Sequence, residues 1–352
     1  MKRRLSAFLM ASALVVSLTA CGFSEPAATK APETTKAAEA AAPETKGEAK
    51  DTAAAEAKAD KSDKPVKIGW LQKNQSNAFE LVINGGGEEL LEQAKADGIV
   101  EEYYLFDGQT DPSIQVSQAA DLVNLGVDAV IMQPAEMDGS APVVDICHEA
   151  GIPVVLVNAL TSNADDCEGL SVSNDVEAGE LLANFVLDEL GDTGKYAHLQ
   201  GIIGNTAAIQ RTEGIHNVMD QQAGWEMLEE QSAEWSGDKA SRFTQDWIAL
   251  YGDELKAIMC DNDDMAVAAR LACLEAGRED IVCIGVDATE AALAMVADGE
   301  LHGTVRQDGH EQGRTAVEKA IALAQGKEVE QKTVIPFTVV TKDNVAEFYP
   351  AK

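Results

Sequence analysis

The sequence predicts an α/β protein built from parallel sheets with helices on both faces. Short apolar runs rich in β-branched and aromatic residues alternate with longer amphipathic stretches between Val66 and Val340, which is the βαβ pattern. After about Ser173 the same rhythm begins again, and two successive sets of about five βα units indicate two similar lobes. Glycine and proline at Gly126-Val127-Asp128 and Gly151-Ile152-Pro153 separate helices from the strands that follow them.

The elements are predicted in chain order from hydrophobic period and from these breaks. In the first set, the strands are Val66–Leu71, Tyr103–Phe106, Ala129–Gln133, Pro153–Val157 and Leu170–Val172, and the helices are Ala78–Lys95, Ile114–Leu125, Ala141–Glu149 and Asp175–Leu190. In the second set, the strands are Lys195–Gln200, Trp225–Glu230, Ala257–Cys260, Val282–Val286 and Gly303–Val305, and the helices are Ala208–Gln221, Lys239–Leu250, Ala266–Ala276, Ala291–Ala297 and Gly309–Gln325. Val334–Val340 is predicted to be extended.

The chain begins like a secretory signal. Lys2, Arg3 and Arg4 precede an apolar run, Leu5 to Leu18, that is too short to be a spanning helix. The run ends in Leu18-Thr19-Ala20-Cys21, which resembles a bacterial lipobox. The resemblance implies a signal peptide over residues 1–21, cleavage before Cys21 and a lipid on the Cys21 sulfur.

Residues 22–65 have a different composition from the rest of the chain. They are built of Ala, Glu, Lys, Thr and Pro, and have no aromatic residue after Phe23. Such a segment buries too little apolar surface to fold, so we expect a flexible tether. A chain of this length spans roughly 35–40 Å on average, enough to hold a folded domain away from a membrane surface.

Net charge and cysteine usage exclude several classes of protein. The formal net charge is −33, which disfavours nucleic acid and anionic lipid as partners. Besides Cys21 there are five cysteines, an odd set without regular spacing, so a disulfide framework is not expected. Buried free thiols are predicted at Cys260, Cys273 and Cys283, and only Cys147 and Cys167 are candidates for pairing.

No motif for catalysis, nucleotide binding or metal binding is found. Gly85-Gly86-Gly87 lies inside a predicted helix without the third glycine of a dinucleotide fingerprint, which favours close helix packing. Asp261-Asn262-Asp263-Asp264 lacks the glycine and glutamate of a calcium loop. There is no Gly-x-Ser-x-Gly, and the five histidines include no pair at i, i+4. We therefore expect no enzyme, no cofactor and no metal.

Polar and aromatic side chains follow most of the predicted strands. In open parallel sheets, ligands bind outside the carboxyl ends of the strands. Amide, carboxylate and guanidinium groups bind pairs of hydroxyls, and aromatic rings stack on the C–H faces of a sugar. A single such residue is usually a cap or a turn former, but a series at successive strand ends predicts a site for a polyhydroxylated ligand. The candidate residues are Asn77, Phe79, Gln133, Asn158, Arg211, Trp235, Asn262, Asp287 and Gln307.

The same segments resemble the ribose/galactose-type periplasmic binding proteins, the solute receptors of ABC importers. The resemblance runs from Val66 to Thr341, through Ser76-Asn77-Ala78-Phe79, Gln133-Pro134, Gly151-Ile152-Pro153-Val154, Ser173-Asn174-Asp175, Gln200-Gly201, Arg211-Thr212-Glu213-Gly214, Asn262-Asp263-Asp264-Met265-Ala266, Ile284-Gly285-Val286-Asp287 and Gln307. It implies two Rossmann-like lobes joined by a three-crossover hinge that close on a ligand.

Placed on this sequence, the resemblance implies crossovers near Ser173–Asn174, Arg306–Asp308 and Pro336. The N-terminal lobe would comprise residues 66–173 and 308–336, and the C-terminal lobe residues 174–307 and 337–352. The resemblance implies ligand contacts at all the candidate residues except Asn158. We expect Arg211 and Asp287 to act together on the ligand and to set its specificity.

Two positions depart from the ribose receptor pattern. Asn158-Ala159 stands where that pattern has an Asp-Arg pair, and Glu80 stands where it has a second aromatic residue. These changes remove a charged clamp and part of a stacking wall, so ribose itself is not favoured. Trp70, Lys73 or Asn74 are candidates to compensate.

The resulting hypothesis is a lipid-anchored, extracytoplasmic solute-binding protein for a sugar or polyol. Its partners would be an ABC permease with its ATPase, and the membrane through the lipid alone. Two alternatives share the fold and the extracytoplasmic, lipid-anchored location: a receptor for a sugar-like signalling molecule, and a sensory lipoprotein that acts on a kinase or chemoreceptor. An enzyme on the same fold is the rival of a different class. The signal peptide and the absence of a basic DNA-binding segment exclude a sugar-responsive repressor.

Overall fold

The computed structural model describes residues 64–349 and confirms an α/β fold with two lobes. The first part of the chain forms β1 (Val66–Gln72), α1 (Ala78–Ala96), β2 (Val100–Asp107), α2 (Pro112–Leu125), β3 (Ala129–Met132), α3 (Pro142–Glu149), β4 (Val154–Asn158) and β5 (Gly169–Val172). It continues through α4 (Asp175–Leu190), β6 (Gly194–Gln200), α5 (Thr206–Met219), β7 (Trp225–Ser232), α6 (Gly237–Tyr251), β8 (Ala257–Cys260), α7 (Asp263–Glu275), β9 (Val282–Asp287), α8 (Glu290–Asp298) and β10 (Gly303–Arg306). The last elements are α9 (Gly309–Ala324), β11 (Lys332–Val334) and β12 (Thr338–Thr341).

Each lobe contains one six-stranded sheet. The strand orders are β11-β5-β4-β3-β1-β2 and β12-β10-β9-β8-β6-β7. All the pairs are parallel except β10–β12, which is antiparallel because the chain returns to the second lobe from the opposite direction. The central strands β3, β4, β8 and β9 are buried along their whole length, since helices cover both faces of a parallel sheet.

The chain passes between the two sheets three times. The passages lie at residues 173–174, 307–308 and 335–337. Helix α9 follows β10 of the second sheet but packs on α1 and β4 of the first lobe, and α4 follows β5 but packs on α5 and β9 of the second. The predicted extended segment at residues 334–340 is thus divided, because its two halves pair with different sheets.

Glycines permit close helix packing beside each sheet. A Cβ on Gly86 would lie 2.3 Å from the carbonyl oxygen of His310, and one on Gly87 would lie 2.2 Å from the Trp70 ring. The structural role predicted for this run is confirmed at both positions. In the second lobe, a Cβ on Gly179 would lie 2.0 Å from the carbonyl oxygen of Arg211, so the α4–α5 contact fixes the turn that carries Arg211.

The cysteines of the described chain are all free and buried. This holds for Cys260, Cys273 and Cys283, as predicted, and also for Cys147 and Cys167, which do not pair. Among residues 64–349, no helix is long and apolar enough to span a bilayer. The predicted signal peptide, Cys21 and all but the last two residues of the predicted tether lie outside the described residues.

Candidate functional site

A cavity lies between the lobes, where the carboxyl ends of both sheets meet. It contains about 400 Å³ of space free of atoms, including the part open to solvent, which is at the small end for a ligand site. Side chains from both lobes line it: Lys73, Asn77, Phe79, Glu80, Asn158, Asn205, Ala207, Arg211, Trp235, Asn262, Asp264, Asp287 and Gln307. A wider groove beside it shares Asn77, Trp235 and Asp264 and leads to the surface.

The first lobe contributes a buried ion pair from the segment after β1. The ammonium of Lys73 lies 3.0 Å from Oε1 of Glu80, and both side chains are at least nine-tenths buried. Asn74 shapes the turn before α1, because its Oδ1 accepts hydrogen bonds from the backbone N–H groups of Ser76 and Asn77. Asn77 is the N-cap residue of α1, but its side chain makes no capping hydrogen bond and lines the cavity.

A chain of amide side chains runs from the cavity toward the crossovers. Gln133 donates from Nε2 to Oε2 of Glu80 and to Oδ1 of Asn158, both at 3.2 Å. Asn158 donates to Gln312 at 3.2 Å, and Gln312 donates to the hydroxyl of Ser173 at 2.8 Å. Asn158 therefore connects the cavity wall to α9 and to the first crossover.

Arg211 is fixed in the second lobe by three acceptors. Its Nε donates to Oδ1 of Asp175 at the start of α4, and its Nη2 lies 2.8 Å from the same oxygen. It also donates from Nη1 to the carbonyl oxygen of Asp261 and from Nη2 to Oε1 of Gln307 at 3.0 Å. Burial raises the pKa of the Asp175 carboxyl, and Arg211 opposes that rise. The guanidinium is thus held rigidly at the cavity wall.

Trp235 lies in a constrained loop between β7 and α6. Its φ of 62° and that of Glu234, 55°, fall in the left-handed region that non-glycine residues rarely adopt. Gly201 lies against the ring, since a Cβ there would be 2.1 Å from its atoms. Lys73 Nζ lies 5.3 Å from the ring centroid and the Arg211 guanidinium carbon 6.0 Å from it, so both cations are within cation–π range.

Asn262, Asp287 and Gln307 come from the ends of β8, β9 and β10. The Oδ1 of Asn262 accepts from the N–H of Met265 and caps α7, so this residue is a cap as well as part of the cavity wall. Asp287 is 7% exposed and has a φ of 130°. Burial raises its pKa well above the usual value; Asp263 adds to the rise, and Arg211 opposes it.

A buried histidine supports this wall from behind. His198 is fully buried, with Nε2 2.9 Å from Oδ1 of Asp261 and Nδ1 3.1 Å from Oε2 of Glu230. Burial alone lowers the pKa of His198, but Asp261 and Glu230 outweigh burial and raise it to about 9. Oδ2 of Asp261 accepts from the N–H of Gly201, so the network fixes the backbone beneath Trp235.

The two lobes are hydrogen-bonded to each other at one side of the cavity. Within the described part of the chain, three bonds cross between them at this side: Met137 N–H to the Gly204 carbonyl at 2.9 Å, Asn205 Nδ2 to the Ala135 carbonyl at 3.2 Å, and Leu160 N–H to the Thr206 hydroxyl at 2.9 Å. These bonds, together with the approach of Lys73 to Trp235, show that the lobes are closed on the cavity.

Eight of the nine candidate residues line the cavity, and Gln133 does not. Gln133 is fully buried behind Glu80 and Asn158, because it sits at the end of a central strand. Of the suggested compensating residues, Lys73 lines the cavity and Asn74 shapes the adjoining turn. Trp70 packs against Gly87 in the core and does not reach the site.

Several residues at the site escaped the sequence analysis. Asn205, Ala207 and Asp264 line the cavity, and Asp175 is the partner of Arg211. Asn205 shows a recognisable signal, since it caps α5 after the turn at Gly204. The pairing of Asp175 with Arg211 crosses between two helices and leaves no local pattern. Within residues 64–349, no group of three or more His, Cys, Asp or Glu side chains is placed to hold a metal ion.

Two lobes closed around a polar cavity with one aromatic wall define a protein that captures a small solute. The chain belongs to the periplasmic binding protein family: the model of the periplasmic binding protein domain matches residues 68–328. It is therefore of the class of substrate-binding proteins that serve ABC importers of sugars and polyols, a class that catalyses no reaction.

Curated relatives and solved structures agree with this assignment. The "Putative rhizopine-binding protein" of Rhizobium meliloti is 37% identical over 277 residues, which is 77% of this chain and 88% of that protein. The xylitol-binding protein of Mycolicibacterium smegmatis is 34% identical over 263 residues, 75% of this chain and 74% of the relative. An ABC transporter solute-binding protein from Bacillus halodurans, solved with bound myo-inositol, has a TM-score of 0.76 at 28% identity and covers 82% of this chain and 98% of its own.

Proposed function

We propose that this protein captures a sugar or polyol between its lobes and delivers it to an ABC permease and its ATPase. The observation that carries the proposal is the closed cavity, whose wall combines one carboxylate, one guanidinium, four amides and two aromatic rings among the eight candidate residues that line it. Carboxylates accept from hydroxyls, guanidinium groups donate to oxygens, and amides do both, so the wall suits a ring or chain with several hydroxyls.

Two of the relatives and one solved structure lead us to include polyols and cyclitols, beside sugars such as ribose, in the proposed ligand class. The two relatives described above are named for rhizopine and xylitol, and the solved structure contains myo-inositol. Glu80, paired with Lys73, stands where the ribose receptor pattern has an aromatic residue. The polar pair in place of an apolar ring favours a ligand with hydroxyl groups on that side.

Ligand capture would act by shifting a population between open and closed forms. Residues on both lobes would contact the ligand only when the lobes approach, so the ligand would stabilise the closed form. The amide chain from Asn158 to Gln312 and Ser173 connects the cavity to two of the three crossovers. This series of hydrogen bonds supports a coupling between ligand binding in the cavity and movement at the hinge. No group in the cavity is proposed to react with the ligand.

We further propose that the protein is anchored by a lipid on Cys21 at the extracytoplasmic face of the cell membrane. The support is the sequence alone: a charged start, a short apolar run, the lipobox at Leu18–Cys21 and a polar segment before the folded unit. The anchor would leave the domain free to reach a permease. In the sensory alternative the protein has the same location, but its closed form binds a kinase or chemoreceptor instead of a permease.

A thermal-shift screen against ribose, galactose, xylitol and myo-inositol tests the proposed ligand class. A ligand at 100 times its Kd adds about 2.7 kcal/mol to the free energy of unfolding, a shift of several degrees. Amino acids and dipeptides serve as the comparison panel. Stabilisation by the comparison panel and by none of the polyhydroxylated compounds would overturn the proposal. Uptake of the labelled ligand by cells with and without the protein separates import from sensing.

A further inference from the structure

Carboxylates outnumber basic side chains in the lining of the cavity. Five ionisable residues line it: Lys73, Glu80, Arg211, Asp264 and Asp287. Lys73 is paired with Glu80 at 3.0 Å, and Arg211 is paired with Asp175 at 2.8 Å. Both bases therefore already have a buried carboxylate as partner, and the carboxylates of Asp264 and Asp287 form no ion pair among residues 64–349.

Asp287 is a buried acceptor without a donor. It is 7% exposed, lies at the carboxyl end of β9, and accepts no hydrogen bond from any residue of the described chain. Its neighbour Asp263 is different, because that carboxylate accepts from the Thr304 hydroxyl at 2.7 Å and from the Thr289 N–H at 2.8 Å. Asp287 is thus free to bind a ligand, whereas Asp263 serves the structure.

Asp264 adds a second unpaired carboxylate from the first turn of α7. It is half-buried, lines the cavity and has no hydrogen-bond donor among residues 64–349. Burial and the carboxylate of Glu80 raise the pKa of Asp264. Since Glu80 belongs to the first lobe and Asp264 to the second, closure of the lobes brings these two carboxylates to the same cavity.

Two more unpartnered groups belong to residues that line the same cavity. Gln307 is 2% exposed, and its Nε2 has no acceptor in the described chain, although its Oε1 accepts from Arg211. The buried Nε1 of Trp235 has no acceptor either. These donors suit hydroxyl oxygens. The ligand expected here therefore offers oxygens to Gln307 and Trp235 and a donor group to Asp264 and Asp287.

We infer that the ligand is a polyol or sugar carrying a primary ammonium group, which Asp287 and Asp264 bind. This inference rests on the proposed function and narrows its ligand class. An ammonium group supplies three donors and a full positive charge. It would satisfy the Asp287 carboxylate, offset the repulsion between Glu80 and Asp264, and so favour closure. A neutral ligand supplies hydroxyl donors but no positive charge to offset these carboxylates.

Matched pairs of neutral and amino ligands test the inference by calorimetry at pH 7. The pairs are myo-inositol with an amino-deoxy-inositol, xylitol with 1-amino-1-deoxyxylitol, and glucose with glucosamine. In the pair that binds, we expect a Kd at least tenfold lower for the amine. Equal or tighter binding of the neutral member overturns the inference and leaves the proposed function supported. Absence of binding by all six contradicts both.

Charge-removing variants test the assigned carboxylates. Asp264→Asn and Asp287→Asn should each reduce the preference for the amine at least fivefold, measured as the ratio of the two Kd values. Asp246→Asn, an exposed position on α6, is the matched control and should keep the wild-type ratio. Asp264 is only half-buried, so its variant tests the inference even where Asp287→Asn alters folding. An unchanged ratio in both site variants overturns the assignment.

Discussion

Arg211 and Asp175 form a buried ion pair across the α4–α5 contact, with Nη2 of the guanidinium 2.8 Å from Oδ1 of the carboxylate. The sequence led us to expect that Arg211 and Asp287 act together on the ligand. Both line the cavity, but neither a hydrogen bond nor an ion pair between them is seen in the described chain. Arg211 thus serves the fold as well as the cavity wall, and Asp287 serves the cavity alone.

Substitutions at these two residues should have opposite effects on the ligand-free protein. Arg211→Gln leaves Asp175 buried without a base and should lower the free energy of unfolding by about 3–5 kcal/mol. Asp287→Asn removes an unpaired buried carboxylate whose pKa is raised, so it should raise the melting temperature at pH 7 by about 2–4 °C. Both should weaken ligand binding. Calorimetric melting without ligand checks the prediction, and destabilisation by Asp287→Asn would contradict it.

Trp235→Ala should weaken ligand binding by about 1–3 kcal/mol, because a large aromatic wall of the cavity is removed. Trp235→Phe should retain most of the affinity. Trp225 is the matched control: it is also buried in the second lobe but packs against Tyr196, so Trp225→Phe should leave the Kd unchanged. Titration calorimetry gives all three values. Wild-type affinity in Trp235→Ala would remove Trp235 from the binding site.

Thr206→Val should favour the open form. The Thr206 hydroxyl accepts from Leu160 N–H across the two lobes, and loss of one such bond costs about 0.5–1.5 kcal/mol. We expect a Kd raised by about two- to tenfold and a larger radius of gyration without ligand. The control is Thr244→Val on α6, where the buried hydroxyl has no partner in the described chain. Similar scattering profiles for the two variants would contradict this role of Thr206.

Stability should fall as the pH rises through the range set by His198. Its pKa in the folded protein is about 9, against about 6.5 in the unfolded chain. The charged form is favoured by folding, so the contribution is complete below pH 6.5 and is lost as the pH rises through 9. The loss is about 3 kcal/mol at most. Urea unfolding from pH 6 to 9.5 measures it.

The comparison that isolates His198 uses two histidine variants. His198→Gln should flatten the fall in urea midpoint between pH 6.5 and 9, and His310→Gln, at an exposed position, should not. A midpoint that stays constant over this range in the wild type would contradict the prediction. An equal fall in wild type and His198→Gln would assign the pH dependence to other groups.

Cys21→Ser should abolish membrane attachment. The variant lacks the sulfur that would carry the lipid, so we expect either release into the medium or an uncleaved precursor. Fractionation and the mass of the protein check this outcome. A variant that remains in the membrane fraction at its mature mass would show that the lipobox interpretation is wrong.

The sequence by itself determined the order of elements and which strand ends carry the cavity. Strand and helix periods are local, and side chains that follow parallel strands must gather at one edge of the sheet, so eight candidates such as Asn77 and Asp287 could be named. The same reasoning placed Gln133 in the wall and offered Trp70 as a substitute. The position of a residue after a strand predicts at which edge of the sheet it lies, but not whether its side chain reaches the cavity.

Only the tertiary structure decided which charged side chains form ion pairs with one another. Asp175 pairs with Arg211 across 36 positions of chain, and Asp264 and Glu80 line the same cavity from different lobes. Coulomb interaction depends on distance in space and on burial, and neither can be read from spacing along the chain. Glu80 forms an ion pair with a base, whereas Asp287 does not. This difference is therefore decided only when the lobes have folded and closed.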